Sequence, residues 1–259
     1  MDFGLAGRKA IVCASSRGLG KACARALAEA GCEVIINGRD AKVLDATAAE
    51  LTAITGAKIT AVAADVANPD GQKALLAACP QPDILVNNNA GPHLRDFREL
   101  TRQQMLDGVT ANMIVAIELI QKVIDPMIDR KFGRIVNITS GAVKAPLAGL
   151  DLSSGARAGL TAFVAGVART VADKNVTINS LMPGAFDTDR LRGTLAGAAA
   201  KTGKSIDEVA AGRIASIPAR RFGDPSEFGA ACAFLCSSQA GFITGQNLLI
   251  DGGAFPGAF

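Results

Sequence analysis

Residues 9–38, KAIVCASSRGLGKACARALAEAGCEVIING, carry the pattern that decides the fold. Lys9–Ala14 is a short apolar run ending in small residues, read as a strand. Ser15 to Gly20 turn the chain, and helix formers fill Lys21–Ala30 until Gly31 stops them. Glu33–Asn37 is apolar again, a second strand. Gly18 and Gly20 sit where a strand gives way to a helix. Glycines there let the backbone approach a pyrophosphate, which then rests on the free N–H groups of the helix N-terminus.

The same alternation continues outward. A helix is expected over Asp40–Ile54 with Asp40 as N-cap, a strand over Lys58–Ala63, and a helix over Pro69–Ala78 with proline in its first turn. Asp83–Asn87 is the fourth strand. Thr101–Arg130 reads as a long helical stretch interrupted by Pro126, followed by a strand at Gly133–Thr139 and a small-residue helix at Ser154–Asp173. Val176–Leu181, Pro225–Ser237 and Asn247–Ile250 complete the series as strand, helix and strand. Strands apolar throughout belong in a sheet buried on both faces. The expectation is an α/β fold: a single Rossmann-type, doubly wound parallel sheet of about seven strands with helices on both faces. Residues 1–259 form one domain in this reading. Residues 187–218, rich in Ala and Gly with scattered charges, interrupt the alternation; they form one or two helices, either a substrate lid or a surface excursion.

Composition narrows the function. The 259 residues are 49% hydrophobic and 20% charged, with a net charge of +3 and no basic block. That argues against a nucleic-acid partner, and no apolar run suits a membrane span. The N-terminus lacks a signal-peptide pattern, and the six cysteines form no Cys-x-x-Cys pair. With a single histidine no metal site is expected. The reading is a cytoplasmic protein with reduced thiols and a small-molecule substrate. The chain holds no tyrosine and no tryptophan, which removes any mechanism that needs a phenol.

NAD-preferring dinucleotide folds place an acid at the end of the second strand. Here the strand runs into Asn37-Gly38-Arg39. Arg39 and Arg17 are candidates to hold a 2′-phosphate, which suits a guanidinium fork, so the expected cofactor is NADP(H).

These motifs resemble the short-chain dehydrogenase/reductase family along essentially the whole chain. The turn from Cys13 to Gly20 is similar to its Thr-Gly-x-x-x-Gly-x-Gly, with Cys13 and Ala14 in the first two places. Asp65-Val66 resembles the adenine-binding segment. Asn87-Asn88-Asn89-Ala90-Gly91-Pro92 resembles Asn-Asn-Ala-Gly, on Asn87–Ala90 without a gap or on Asn88–Gly91 with a shift of one. Asn112 resembles the active-site Asn, and Gly133–Ser140 the strand ending in the catalytic Ser, here Ser140. Pro183-Gly184, with Thr188, resembles the loop that contacts nicotinamide and phosphate, and Phe242–Gly253 the C-terminal segment. The resemblance implies a cofactor set of Ala14, Ser16, Arg17, Gly18, Leu19, Gly20, Arg39, Asp65, Val66, Asn88, Ala90, Gly91, Arg157, Pro183, Gly184 and Thr188. It also implies a homotetramer, or a homodimer, packed through a small face of Gly155, Gly159, Ala162 and Gly166.

The family's Tyr-x-x-x-Lys falls on Ser153 and Arg157, as in a divergent branch resembling 3-oxoacyl-carrier-protein reductases. A phenol with a pKa of about 10 is replaced by a far weaker acid, and Arg157 does not deprotonate as a lysine can. Three replacements stay open. Ser140 and Ser153 position a water; or His93, with an unperturbed pKa of about 6.5, donates; or Lys144 reaches the pocket. Three functions stay open too: a reductase acting on a carbonyl or secondary alcohol, a non-redox lyase, hydrolase or dehydratase, and a silent NADP(H)-binding protein. From the two arginines, NADP(H) is expected to bind more tightly than NAD(H). Calorimetric titration with each cofactor checks this, and tighter binding of NAD(H) contradicts it.

Overall fold

The structure is a computed structural model that describes residues 2–92 and 94–258. Seven strands form one parallel sheet in the order β3-β2-β1-β4-β5-β6-β7. They are β1 (Lys9–Val12), β2 (Glu33–Gly38), β3 (Ile59–Ala63), β4 (Ile84–Asn87), β5 (Gly133–Ile138), β6 (Val176–Pro183) and β7 (Asn247–Ile250). The helices are α1 (Gly18–Glu29), α2 (Ala41–Thr55), α3 (Pro69–Ala78), α4 (Arg102–Val109), α5 (Val115–Asp129), α6 (Asp151–Val171), α7 (Asp189–Thr202), α8 (Ile206–Ala215) and α9 (Pro225–Cys236).

Alternate residues of each strand feed two separate cores. Val12, Val34, Ile36, Val86 and Val136 pack with Cys23, Leu27, Leu44, Phe228 and Cys232, under α1, α2 and α9. Ile11, Ile35, Leu85, Ile135 and Ile178 pack with Leu75, Leu119, Val123, Leu160 and Val164, under α3, α5 and α6. Burial on both faces explains why β4 and β5 are buried at every position. All six cysteines are free and buried; burial pushes the thiols of Cys13 and Cys32 up to about 12.

A buried cation on β5 fastens the amino ends of β5 and β6. Arg134 is 1% exposed and donates to the carbonyls of Ser237, Gly133 and Asn175 and to Asn175 Oδ1. Among the described residues no carboxylate pairs with it; it is held by carbonyl dipoles and by the Phe132 ring, 4.4 Å away.

The expected elements appear with shifts of a few residues at their ends, and Asp40 caps α2 by accepting from the Val43 N–H. The helical stretch over Thr101–Arg130 is a correction. Pro126 lies inside α5 without ending it; its missing N–H falls within the last turn of the stretch. The interruption is instead a π-helical turn at Thr110–Ile114, between α4 and α5, a device that often marks functional positions. Residues 187–218 form α7 and α8. Among the described residues no helix is long and apolar enough to cross a membrane.

The phosphate turn depends on where α1 lies, and α1 is set by its crossing with α9. A methyl group on Gly229 would lie 2.4 Å from the Ala22 carbonyl oxygen, so only glycine allows the backbones this close. Gly229→Ala should cost about 1–3 kcal/mol by overpacking, read as a lowered midpoint in chemical denaturation. An unchanged midpoint would contradict the close crossing.

Candidate active site

The carboxyl ends of β1, β4, β5 and β6 meet along one edge of the parallel sheet, where ligands bind in open α/β folds. The first part of the site is the turn after β1. Ala14 has φ of +43°, a left-handed conformation that costs a non-glycine residue about 1–2 kcal/mol. Two asparagines hold it there. Asn37 Oδ1 accepts from the Ala14 N–H, and Asn88 Nδ2 donates to the Ala14 carbonyl at 3.1 Å. Ser15 Oγ donates to the Val12 carbonyl and accepts from the Asn37 N–H. Gly20 has no room for a side chain: a methyl would lie 2.4 Å from the Ala14 carbonyl oxygen and 2.9 Å from Asn88 Nδ2.

This turn fits a pyrophosphate. Arg17 is the N-cap residue of α1 but gives it no side-chain cap, and the first turn holds no acid. By contrast α2, α3, α7 and α9 all receive a side-chain cap. The N–H groups at the start of α1 are thus free of side-chain acceptors, in the place an anion would take. Thr188, the N-cap of α7, comes within 3.8 Å of a methyl placed on Gly18, so the start of α7 flanks the turn. Ser16 supports it from behind, its carbonyl accepting from Thr47, and half-buried Leu19 packs against the first core.

At the end of β2, Gly38 is followed by exposed Arg39. The acid beyond it, Asp40, is engaged by the α2 cap. Arg17 and Arg39 form no ion pair with any described residue. Val66 is buried, and Asp65 closes a turn through the Ala67 N–H. Gly184, after Pro183 at the end of β6, lies against Asp251, whose Cβ would be 2.6 Å from a methyl there.

The second part of the site is centred on Arg157. It is 8% exposed and donates Nη1–H to the Ile138 carbonyl at 2.7 Å, Nη2–H to the Asn89 carbonyl at 3.2 Å and Nε–H to Ser153 Oγ at 3.3 Å. These bonds join α6, the end of β5 and the loop after β4. Burial and then the nearby Arg190 guanidinium pull its pKa down to about 10, still far above neutrality, so the group is a fixed cation. Ser140 is two residues beyond Ile138, and its Oγ accepts from the Ala142 N–H.

Asn112 lies in the π-helical turn and donates to the Gly108 carbonyl. Its Oδ1 and that of Asn87 find no partner among the described residues. Asn87, Asn88, Asn112 and Arg157 line one cavity of about 20 Å³, enough for a single water. Ala90 is exposed and Gly91 half-buried, in the loop after β4. Lys144 lies with its ammonium 5.6 Å from the Phe255 ring. His93 falls outside the described residues. Among the described residues no group of acids, thiols and imidazoles could hold a metal.

Sequence reading missed Arg190. A methyl on Gly91 would meet Arg190 Nη2 at 3.0 Å and Ser153 Oγ at 3.3 Å, so this arginine reaches from α7 to the serine. The signal available was a cation in the first turn of a helix, where the dipole disfavours it.

Comparison with known proteins shows the family. Residues 13–254 match a family model described as enoyl-(acyl carrier protein) reductase. The chain belongs to the short-chain dehydrogenase/reductase family. It is 32% identical to the 3-oxoacyl-(acyl-carrier-protein) reductase FabG of Vibrio cholerae, over 97% of this chain and 98% of that one. Its fold matches L-sorbose reductase from Gluconobacter frateurii, complexed with NADPH and L-sorbose: TM-score 0.94, 26% identity, 99% of this chain and 100% of that one. A 3-oxoacyl (acyl-carrier-protein) reductase from Agrobacterium tumefaciens with NADP bound matches at TM-score 0.86 and 30% identity, covering 97% and 95%.

Asn88 holds the turn after β1 through its bond to the Ala14 carbonyl, and if that turn binds the cofactor its loss should be felt there. Asn88→Ala should weaken NADPH binding by about tenfold, one lost hydrogen bond, and Gly20→Ala should weaken it further. Both are read by calorimetric titration. Wild-type affinity in both variants would detach the turn from the cofactor.

Proposed function

We propose that this chain is an NADP(H)-dependent oxidoreductase that exchanges a hydride with a carbonyl or secondary-alcohol carbon, with a proton-donor arrangement that uses no tyrosine. The observation that carries this reading is the common edge. The glycine cradle, the uncapped start of α1, and the Ser140, Ser153 and Arg157 cluster all lie at the carboxyl ends of adjacent strands. The NADPH and NADP complexes of the related Gluconobacter and Agrobacterium enzymes support the cofactor, and the Vibrio relative supports a 3-oxoacyl type of substrate.

Gly18, Leu19 and Gly20 would hold the pyrophosphate with Thr188, and Ser16, Arg17 and Arg39 the 2′-phosphate. Asp65 and Val66 would face the adenine; Asn88, Ala90, Gly91, Pro183 and Gly184 would line the path to the nicotinamide. When bound, the nicotinamide supplies or accepts the hydride.

The chain's own groups manage the oxygen and the proton. Ser140 Oγ accepts from the Ala142 N–H, which leaves its own proton free to donate to a substrate oxygen. Ser153 Oγ accepts from Arg157 in the same way, so its proton is also free. Arg157 stays protonated, so it adds positive charge and cannot relay a proton. The proton that completes reduction comes from water positioned by the two serines. Asn112 and Asn87, with unpartnered oxygens in the neighbouring cavity, suit the holding of such a water. His93 and Lys144 remain the other donors to test.

The sheet runs from Lys9 to Ile250, which supports residues 1–259 as one domain. Residues 187–218 act as a substrate lid in this reading, because α7 starts beside the phosphate turn. Free buried thiols fit a reducing cytoplasm. Gly155 and Gly166 face open space, while Gly159 packs against Met113. Gly155, Ala162 and Gly166 are therefore the part of the α6 face left for a homotetramer or homodimer contact.

The test is a carbonyl panel with NADPH, followed at the nicotinamide absorbance and repeated on the Ser153→Tyr/Arg157→Lys double variant. Restoring a positioned acid should raise turnover by about 10²–10⁴-fold. His93→Gln with unchanged rates removes that residue as donor. If the native protein oxidises no NADPH with any carbonyl and reduces no NADP⁺ with any alcohol, the redox reading falls.

A further inference from the structure

The candidate site brings a buried guanidinium, Arg157, near an exposed one, Arg190, and among the described residues no carboxylate pairs with either. Arg157 is buried beneath Ser153. It uses three of its five N–H donors, two on carbonyls and one on the Ser153 hydroxyl. Arg190 comes from the first turn of α7 and lies over Gly91 beside Ser153. The neighbouring acids are already used: Asp187 and Asp189 both pair with Arg192. Among the described residues Arg190 forms no ion pair.

The proximity of the two cations is itself a cost. Arg190 disfavours the charge on Arg157, and a helix N-terminus is the unfavourable end for Arg190. An anion placed between Arg190 and Ser153 would relieve both. The arrangement also depends on two small residues. Gly91 has no side chain to block the Arg190 guanidinium, and Ser153 carries a short hydroxyl that would lie 3.3 Å from a methyl placed there.

We propose that Arg190 is a carboxylate-binding residue for the substrate, and that the substrate is a 2-oxo or 3-oxo acid with its carboxylate free. Arg190 grips the carboxylate through its planar fork, and Arg157 adds charge from below. This rests on the oxidoreductase reading and specifies its substrate class. A neutral thioester offers Arg190 no charge to bind, so the free acid is preferred over the esterified one. The other anion within reach of α7 is the cofactor pyrophosphate, since Thr188 flanks the phosphate turn. The guanidinium lies instead on Gly91 and Ser153, where the substrate carbonyl would be reduced.

The experiment pairs short 2-oxo and 3-oxo acids with their methyl esters, using NADPH and the wild-type, Arg190→Gln and Arg190→Lys proteins. The wild type should favour at least one acid over its ester in kcat/KM. Arg190→Gln should lose about 10- to 100-fold on the acid and leave the ester and the NADPH Kd unchanged. Arg190→Lys should recover part of the loss. Binding of malonate to the NADP⁺ complex is measured in parallel by calorimetry, and should weaken in Arg190→Gln. The proposal is overturned if acid and ester fall together, if the ester is preferred by the wild type, or if NADPH affinity falls with the acid rate, which assigns Arg190 to the pyrophosphate. Malonate binding that depends on Arg190, with no hydride transfer to any acid or ketone, would keep the carboxylate site and remove the oxidoreductase reading. Turnover of neutral ketones alone, with malonate unbound, would do the reverse.

Discussion

The buried Arg157 guanidinium is the constraint around which the reacting half of the molecule is arranged. A charge taken out of water costs several kcal/mol unless polar groups replace its hydration. Here that replacement comes from the Ile138 and Asn89 carbonyls and the Ser153 hydroxyl. Each partner belongs to a different element, so satisfying the cation ties the end of β5, the loop after β4 and the second turn of α6 into one rigid piece. Ser140 and Gly91 lie within two residues of these anchors. Their positions follow from the same set of bonds.

The phosphate turn is organised by the opposite means. No charge is buried there; the backbone itself is brought close. Ala14 is held in a left-handed conformation by Asn37 and Asn88, and Gly20 leaves room for its carbonyl. Asn88 links the two halves, because its side chain fixes the turn while the next residue, Asn89, accepts from Arg157. The turn after β1 and the Arg157 cluster therefore meet in two consecutive residues after β4.

Most of the fold was legible because its signals are local. Apolar runs such as ILVN and the Gly31 and Asp40 punctuation each report on a few neighbouring residues. The strand-to-helix turn at Gly18 and Gly20 was legible for the same reason. The π-helical turn at Thr110–Ile114 was not, since one extra residue in a helix leaves the apolar spacing nearly unchanged, whereas Pro126 gives a strong but misleading sign near a helix end. Arg190 was invisible for a different reason. Its partners, Gly91 and Ser153, are far away in sequence, and a charge in an Ala- and Gly-rich segment looks solvated until the chain has folded.

Replacing a phenol and an amine by a hydroxyl and a guanidinium changes the balance of the chemistry rather than simply weakening it. The phenol's advantage is proton transfer, commonly about 10²–10⁴-fold. A fixed cation beneath the site would add positive potential toward developing oxyanion charge without moving a proton. Arg157 cannot cycle its proton, but for that reason its charge is constant across the neutral range. A site of this kind favours reduction that passes through a well-stabilised alkoxide, with water completing the protonation afterwards. It would also favour substrates that bring their own negative charge, because two guanidinium groups without a carboxylate partner among the described residues make neutral ligands the poorer match. In the proposed reaction the absent tyrosine and the buried arginine would be parts of one electrostatic arrangement, in which fixed positive charge takes over from a mobile proton.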